Sequence, residues 1–263
     1  MVDLFFIGLS FVFCYYFVRA YKPFVYMTYY DLYHLKRKID AKEVFIEPNY
    51  LNVLQVRSRA IIEKSNSYDE LLRNTDILIV ELQKKLLIKE DLSKVSAISV
   101  LLSTFFAYGN PRPLEEEVGC LIENASLKEV ETAPLLNKDY FYLKNSEIGC
   151  CTDYAYIMGR YLAHYQFKHR IVSISGHIFN EVEIDGNWFT IDANTGLLAS
   201  KRFPSSKTNF DLYFLPHFGM TESKYYRQVL VPFREFLTNS FGDSGFAKQL
   251  FIEYIDFEKF KPF

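Results

Sequence analysis

The dipeptide Asp185-Gly186 divides two runs of alternating polarity, and this constrains the fold more than any other feature of the chain. Ahead of it, residues 178–184 place Ile178, Val182 and Ile184 on one face. Beyond it, Phe189, Ile191 and Ala193 continue the apolar set. Asp-Gly between alternating runs predicts a β-hairpin with a two-residue loop. Ile184 then faces Asn187, which places Asp192 opposite Phe179 and His177 opposite Asn194. His177 and Asp192 share one face as diagonal neighbours, with Cβ atoms about 7–8 Å apart or less. The short, β-branched, apolar residues 171–175 predict one more strand just before the hairpin.

A second feature lies upstream. Residues 152–165 carry Tyr154, Ala155, Ile157, Met158, Tyr161 and Leu162 at helical spacing, with Cys151 at the start. Gly149 gives the chain freedom to turn sharply into this helix. At a helix N-terminus the positive end of the macrodipole favours a thiolate. The N–H groups of a helix's first turn can receive a developing oxyanion. A thiol nucleophile needs a base, and the base needs a carboxylate to fix its tautomer and steady its charge. Cys151, His177 and Asp192 are the candidates for these three roles.

The local motifs are Gly149-Cys150-Cys151-Thr152-Asp153-Tyr154-Ala155, then Gly176-His177-Ile178-Phe179-Asn180-Glu181-Val182, then Trp188-Phe189-Thr190-Ile191-Asp192. In order, spacing and strand–turn context they resemble the core of the transglutaminase-like superfamily. The resemblance covers residues 148–195. It implies a papain-like α+β fold and a catalytic triad of Cys151 as nucleophile, His177 as base and Asp192 as orienting acid. That family's Asp-Pro is Asp192-Ala193 here, and Ile178-Phe179 stands where Ala-Trp often follows its histidine. The triad residues are kept, and the substrate class is left open.

The other candidates carry less. Cys14, Cys120 and Cys150 lack this context and are expected to be small buried hydrophobes. His34, His164, His169 and His217 are expected in surface or core roles. Asp153 suits a first-turn acid that complements the helix dipole. Trp188 lies on the hairpin face of His177, where it either walls a cleft or belongs to the core.

Composition excludes several classes. A net charge of −2 gives no basic field for nucleic acid. Four cysteines without spread, even spacing make no disulfide framework. Neither Cys-x-x-Cys nor His-Glu-x-x-His occurs, so no zinc site is expected, and no glycine-rich phosphate loop or other cofactor motif is present. A chain of 263 residues, 49% hydrophobic, can build one sizeable domain with appendages.

The chain divides into three expected parts. Residues 1–22 form a hydrophobic N-terminal segment, apolar from 2 to 18 apart from Asp3, Gly8 and Ser10. This approaches the lower limit of about 17 residues for a bilayer-spanning helix. Tyr15, Tyr16 and Tyr21 suit an interfacial belt, and Arg19, Lys22, Lys36, Arg37 and Lys38 follow. That asymmetry predicts a single-pass membrane anchor with the remaining chain in the cytoplasm. Residues 23–110 predict a helical region, with helices over 50–64 and 68–88 and another from a cap at Asp91 or Ser93 to Tyr108. Residues 111–263 hold the transglutaminase-like core and a C-terminal extension. In the extension, residues 212–215 suggest a strand and residues 221–239 a helix, while residues 246–263 would supply an edge strand or pack on the core.

The expected architecture is thus α+β: a helical N-terminal lobe and an antiparallel sheet, preceded by one hydrophobic helix. The resemblance implies thiol-based acyl chemistry on amide bonds of a peptide or protein substrate, with no cofactor. Water as acceptor gives a peptidase or deamidase, and an amine gives acyl transfer. Two other readings stand beside it. An arylamine N-acetyltransferase shares the order Cys, His, Asp, but the setting of Cys151 lacks that family's Arg-Gly-Gly approach. The other is a membrane-tethered binding module with an idle triad.

Overall fold

The computed structural model describes residues 41–105, 107–108, 144, 148–149, 151–174, 177–201, 211–219 and 253–255. Within them the fold is mixed α+β. Helix α1 spans Pro48–Lys64, α2 Tyr68–Lys85, α3 Glu90–Leu102 and α4 Cys151–His164. The strands are β1 Lys42–Glu43, β2 Ala107–Tyr108, β3 Ile148–Gly149, β4 Lys168–Ile174, β5 His177–Ile184, β6 Asn187–Asp192, β7 Leu197–Ala199, β8 Leu212–Phe214 and β9 Glu253–Ile255.

Each helix follows from its local sequence. Pro48 occupies the first turn of α1, where its missing N–H costs nothing. Leu51, Leu54, Ser58 and Ile62 recur at helical spacing and are the buried stripe of α1. Ser67 caps α2 by accepting from the Glu70 N–H at 3.2 Å. Glu70 reaches back to the Asn66 N–H at 2.9 Å, so the first turn is closed from both sides. Helix α3 is buried continuously from Ser96 to Leu102 and forms the centre of the helical layer. Its end departs from the sequence expectation, which ran to Tyr108. The Ser103 and Thr104 hydroxyls bond back to the Val100 and Leu101 carbonyls at 2.7 and 2.6 Å and close the helix there. Ala107–Tyr108 instead pairs in parallel with Ile148–Gly149, directly ahead of Cys151. The start of α3 departs too: Lys89 is the N-cap residue and makes no side-chain cap bond, while Ser93 lies inside the helix and bonds back to the Glu90 carbonyl at 2.8 Å.

The strands form a seven-stranded sheet in the order β1-β8-β7-β6-β5-β4-β9. It is mixed rather than purely antiparallel, because β1 runs parallel to β8. The β5–β6 register is the one read from the sequence, from Ile184 opposite Asn187 to Asn180 opposite Ile191. Asp185 and Gly186 both have positive φ, 49° and 76°, as a two-residue hairpin loop requires. Beyond Ile191 the ladder with β5 stops, and Asp192 pairs with Leu197 of β7. The expected facing of His177 and Asn194 is therefore not part of the ladder.

Alternation divides the sheet. Val182, Ile184, Phe189, Ile191, Leu198 and Tyr213 join one hydrophobic core with Leu71, Leu78, Val95, Ile98, Met158 and Tyr161 of the helices. The helical layer and the sheet therefore share that core. A buried hydrogen bond at 2.7 Å between the Thr75 and Tyr161 hydroxyls ties α2 to α4 within it. The opposite face of β5 carries His177, Phe179, Glu181 and Glu183. Strand β9 is the edge strand expected in the C-terminal extension. The expected N-terminal membrane helix and the expected helix over 221–239 lie outside the described residues. Among the described residues no helix is long and apolar enough to cross a membrane.

Candidate active site

Three elements converge at one end of the sheet. Strands β2 and β3 deliver the chain to Cys151, the first residue of α4. His177 is the first residue of β5 and Asp192 the last of β6, so both sit at strand ends next to each other. Cys151, His177 and Asp192 are all buried, with 7%, 3% and 2% of their surfaces exposed. The hairpin places the His177 Nε2 at 2.9 Å from the Asp192 Oδ2. His177 is also hydrogen-bonded to the Cys151 side chain. An imidazole has only two nitrogens, so with Nε2 on the carboxylate, Nδ1 is left for the sulfur. The structure thus brings the three sequence-selected side chains into one thiol–imidazole–carboxylate line.

The electrostatics of that line centre on His177. Burial alone would push the imidazole toward its neutral form. The charge of Asp192, the hydrogen bond to it and the contact with Cys151 outweigh burial and raise His177 from 6.5 to about 10. A histidine oriented by a carboxylate and set beside a sulfur is the arrangement that nucleophilic catalysis by a thiol requires.

Further side chains fix this geometry, and the sequence did not single them out. Asn180, three residues past His177, donates from Nδ2 to the Ala155 carbonyl at 3.0 Å. Ala155 lies one helical turn past Cys151, so this bond holds the thiol-bearing helix end against the histidine strand. The Phe179 ring lies 5.9 Å from the His177 ring and limits its swing. His217 packs 6.2 Å from the ring of Tyr154, on the first turns of α4. The Asn194 N–H and the Thr195 hydroxyl both contact the Asp192 carboxylate. The signal for these two was the polar turn 194–196 beginning two residues after an acid, since Asx-type bonding is what such residues do.

Trp188 is not part of the site. It pairs with Glu183, six residues from His177 along β5, which at about 3.3 Å per residue is about 20 Å away. There it stacks under Arg170 and Lys168, at 5.0 and 5.5 Å from the ring centre. Neither of its two expected roles, cleft wall or core, describes that position. Asp153 is buried in the first turn of α4. His164 and His169 lie at the far end of α4 and on β4. Cys14, Cys120, Cys150 and His34 lie outside the described residues. Among the described residues, no three His, Cys, Asp or Glu side chains converge as metal ligands would.

Comparison with known proteins adds little. No family model matches the chain, and no curated protein matches it by sequence. Among solved structures, a crystal structure described as that of a TGase aligns at a TM-score of 0.33 with 14% identity, covering 72% of this chain and 41% of that one. The chain thus spans about two-fifths of that structure's length. A likeness this slight carries no weight for function, which has to come from the site's own chemistry.

Proposed function

We propose that this chain is a transglutaminase-like cysteine enzyme that acts on amide bonds of peptides or proteins through a thioester on Cys151. The observation that carries the reading is the buried line from Cys151 through His177 to Asp192, with the imidazole favoured as its cation. The reading extends to the architecture, a papain-like arrangement of helix-borne thiol and strand-borne base. It includes residues 1–22 as a membrane anchor with the rest of the chain on the cytoplasmic side, supported by the apolar run and the basic residues after it.

The chemistry follows from the residues. The thiol proton resides on His177, and the Cys151 thiolate attacks the amide carbonyl carbon. The carbonyl oxygen becomes an oxyanion beside the N–H groups of the first turn of α4, a position where developing negative charge is favoured. The C–N bond breaks, and the imidazolium proton goes to the leaving amine. The resulting thioester is resolved by water, giving hydrolysis, or by an amine, giving a new amide. Asp192 keeps Nε2 protonated throughout and steadies the cation.

The reading is tested by trapping. The full chain is incubated with a peptide library rich in glutamine and lysine, quenched in acid and analysed by mass spectrometry. The expected result is an acyl adduct on Cys151 that hydroxylamine removes and that Cys151→Ser lacks. No adduct from any peptide, with the fold intact by circular dichroism, would count against an acyl enzyme.

A further inference from the structure

The turn after β6 grips both oxygens of Asp192. The Asn194 N–H donates to Oδ1 at 3.1 Å. The Thr195 hydroxyl donates to Oδ2 at 2.7 Å, the same oxygen that faces His177 Nε2 at 2.9 Å. A carboxylate only accepts, so the hydroxyl proton of Thr195 is committed to Asp192. Thr195 is fully buried, at 0% exposure. Its place is set by backbone: the Gly196 N–H bonds to the Asp192 carbonyl at 2.8 Å, and the Leu215 N–H bonds to the Gly196 carbonyl at 2.7 Å. Gly196 has φ 70°, a conformation that its lack of a Cβ makes cheap. The hydroxyl is thus presented to Oδ2 by a turn anchored to the end of β8, independently of His177.

We propose that Thr195 is a positioning residue for the thiol chemistry: its hydroxyl holds Oδ2 of Asp192 in line with His177 Nε2. The proposal rests on the triad reading above and names a part of the site that the motif pattern does not contain. The physical need is clear. The outer torsion of an aspartate is broad, so a carboxylate held by one bond can turn about it. With the Asn194 N–H on one oxygen and the Thr195 hydroxyl on the other, rotation breaks both bonds. Burial also strips the carboxylate of water, and each donor offsets part of that loss. Without the hydroxyl, Oδ2 keeps only the imidazole among the described residues, and the two can drift together away from Cys151. The rival role is purely structural, in which the hydroxyl merely closes the turn. It predicts lost stability and an unchanged histidine.

The test uses the full chain with Thr195→Val, Thr195→Ala and Thr195→Ser. Two quantities are read: the pH profile of Cys151 alkylation by iodoacetamide, and the low-field proton resonance of His177 Nε2–H. Val and Ala should slow alkylation near neutral pH by about tenfold, the scale of one charge-assisted hydrogen bond. They should also shift or broaden the Nε2 proton. Ser, which keeps the hydroxyl, should stay within about twofold of wild type, well inside the effect of that bond. Should Val not fold, Ala and Ser carry the same comparison. An unchanged profile and proton in Ala, with only the melting temperature lowered, would overturn the positioning role. So would a Ser variant as slow as Ala, because the methyl would then be the active part. Failure of the triad reading is distinguishable: the unsubstituted chain and His177→Ala would then give the same profile, and the role of Thr195 would fall with it.

Discussion

Asp192→Asn isolates the charge that holds His177. The substitution keeps size and shape and removes one negative charge 2.9 Å from Nε2. In the native chain, burial opposes the imidazolium, and Asp192 with Cys151 overcomes it to raise His177 from 6.5 to about 10. The replacement amide offers no charge, while burial keeps its full effect. The imidazole should therefore titrate far lower, toward histidine's ordinary range near 6.5. A fall of that size changes the imidazolium-to-imidazole ratio at fixed pH by on the order of a thousandfold, since each pH unit is a factor of ten. The assay is an NMR titration of labelled histidine. The chain has five histidines, so the His177 signal is assigned by its loss in His177→Gln. A resonance in Asp192→Asn that titrates within about half a unit of wild type, smaller than the ordinary scatter of histidines, would refute the electrostatic reasoning.

Other expectations concern stability. His177 is raised above its unfolded value, so its contribution is complete below about 6.5, shrinks as pH rises, and is gone above about 10. Urea unfolding across that window should show stability falling with pH, with a smaller fall in His177→Gln. Arg170→Ala removes a guanidinium that contacts the fully buried Glu181 at 2.5 and 2.7 Å. It should cost about 3 kcal/mol, and Glu181→Gln in the same chain should restore part of that loss in urea midpoints. Gly186→Ala meets nothing within 4 Å, so only the φ of 76° opposes it. A cost of about 1 kcal/mol is expected, read as a melting temperature lower by about 2–4 °C.

Local chemistry made the hairpin legible. Asp185-Gly186 and the alternation around it gave the turn, the register and the meeting of His177 with Asp192. Helical spacing after Cys151 gave α4. Boundaries set by competition were harder to read. Apolar residues keep recurring at helical spacing to Phe106, but the Ser103 and Thr104 hydroxyls divert carbonyls and end the helix early. The parallel pairings of β1 with β8 and of β2 with β3 join residues far apart in sequence, and two-residue strands carry no periodicity to reveal them. Trp188 stands on the His177 face of the hairpin, but distance along the strand, which a period-two pattern ignores, keeps it from the site. Asn180 acts through a bond to the Ala155 carbonyl that only the folded chain defines.

The central claim, a thiol paired with an imidazole that a carboxylate steadies, is most directly tested by the pH dependence of iodoacetamide labelling at Cys151. Fragmentation mass spectrometry separates it from neighbouring Cys150. Labelling should be fast near neutral pH, and His177→Ala should slow it there by about tenfold, the scale of one charge-assisted hydrogen bond. The same labelling curve in both chains would contradict the claim.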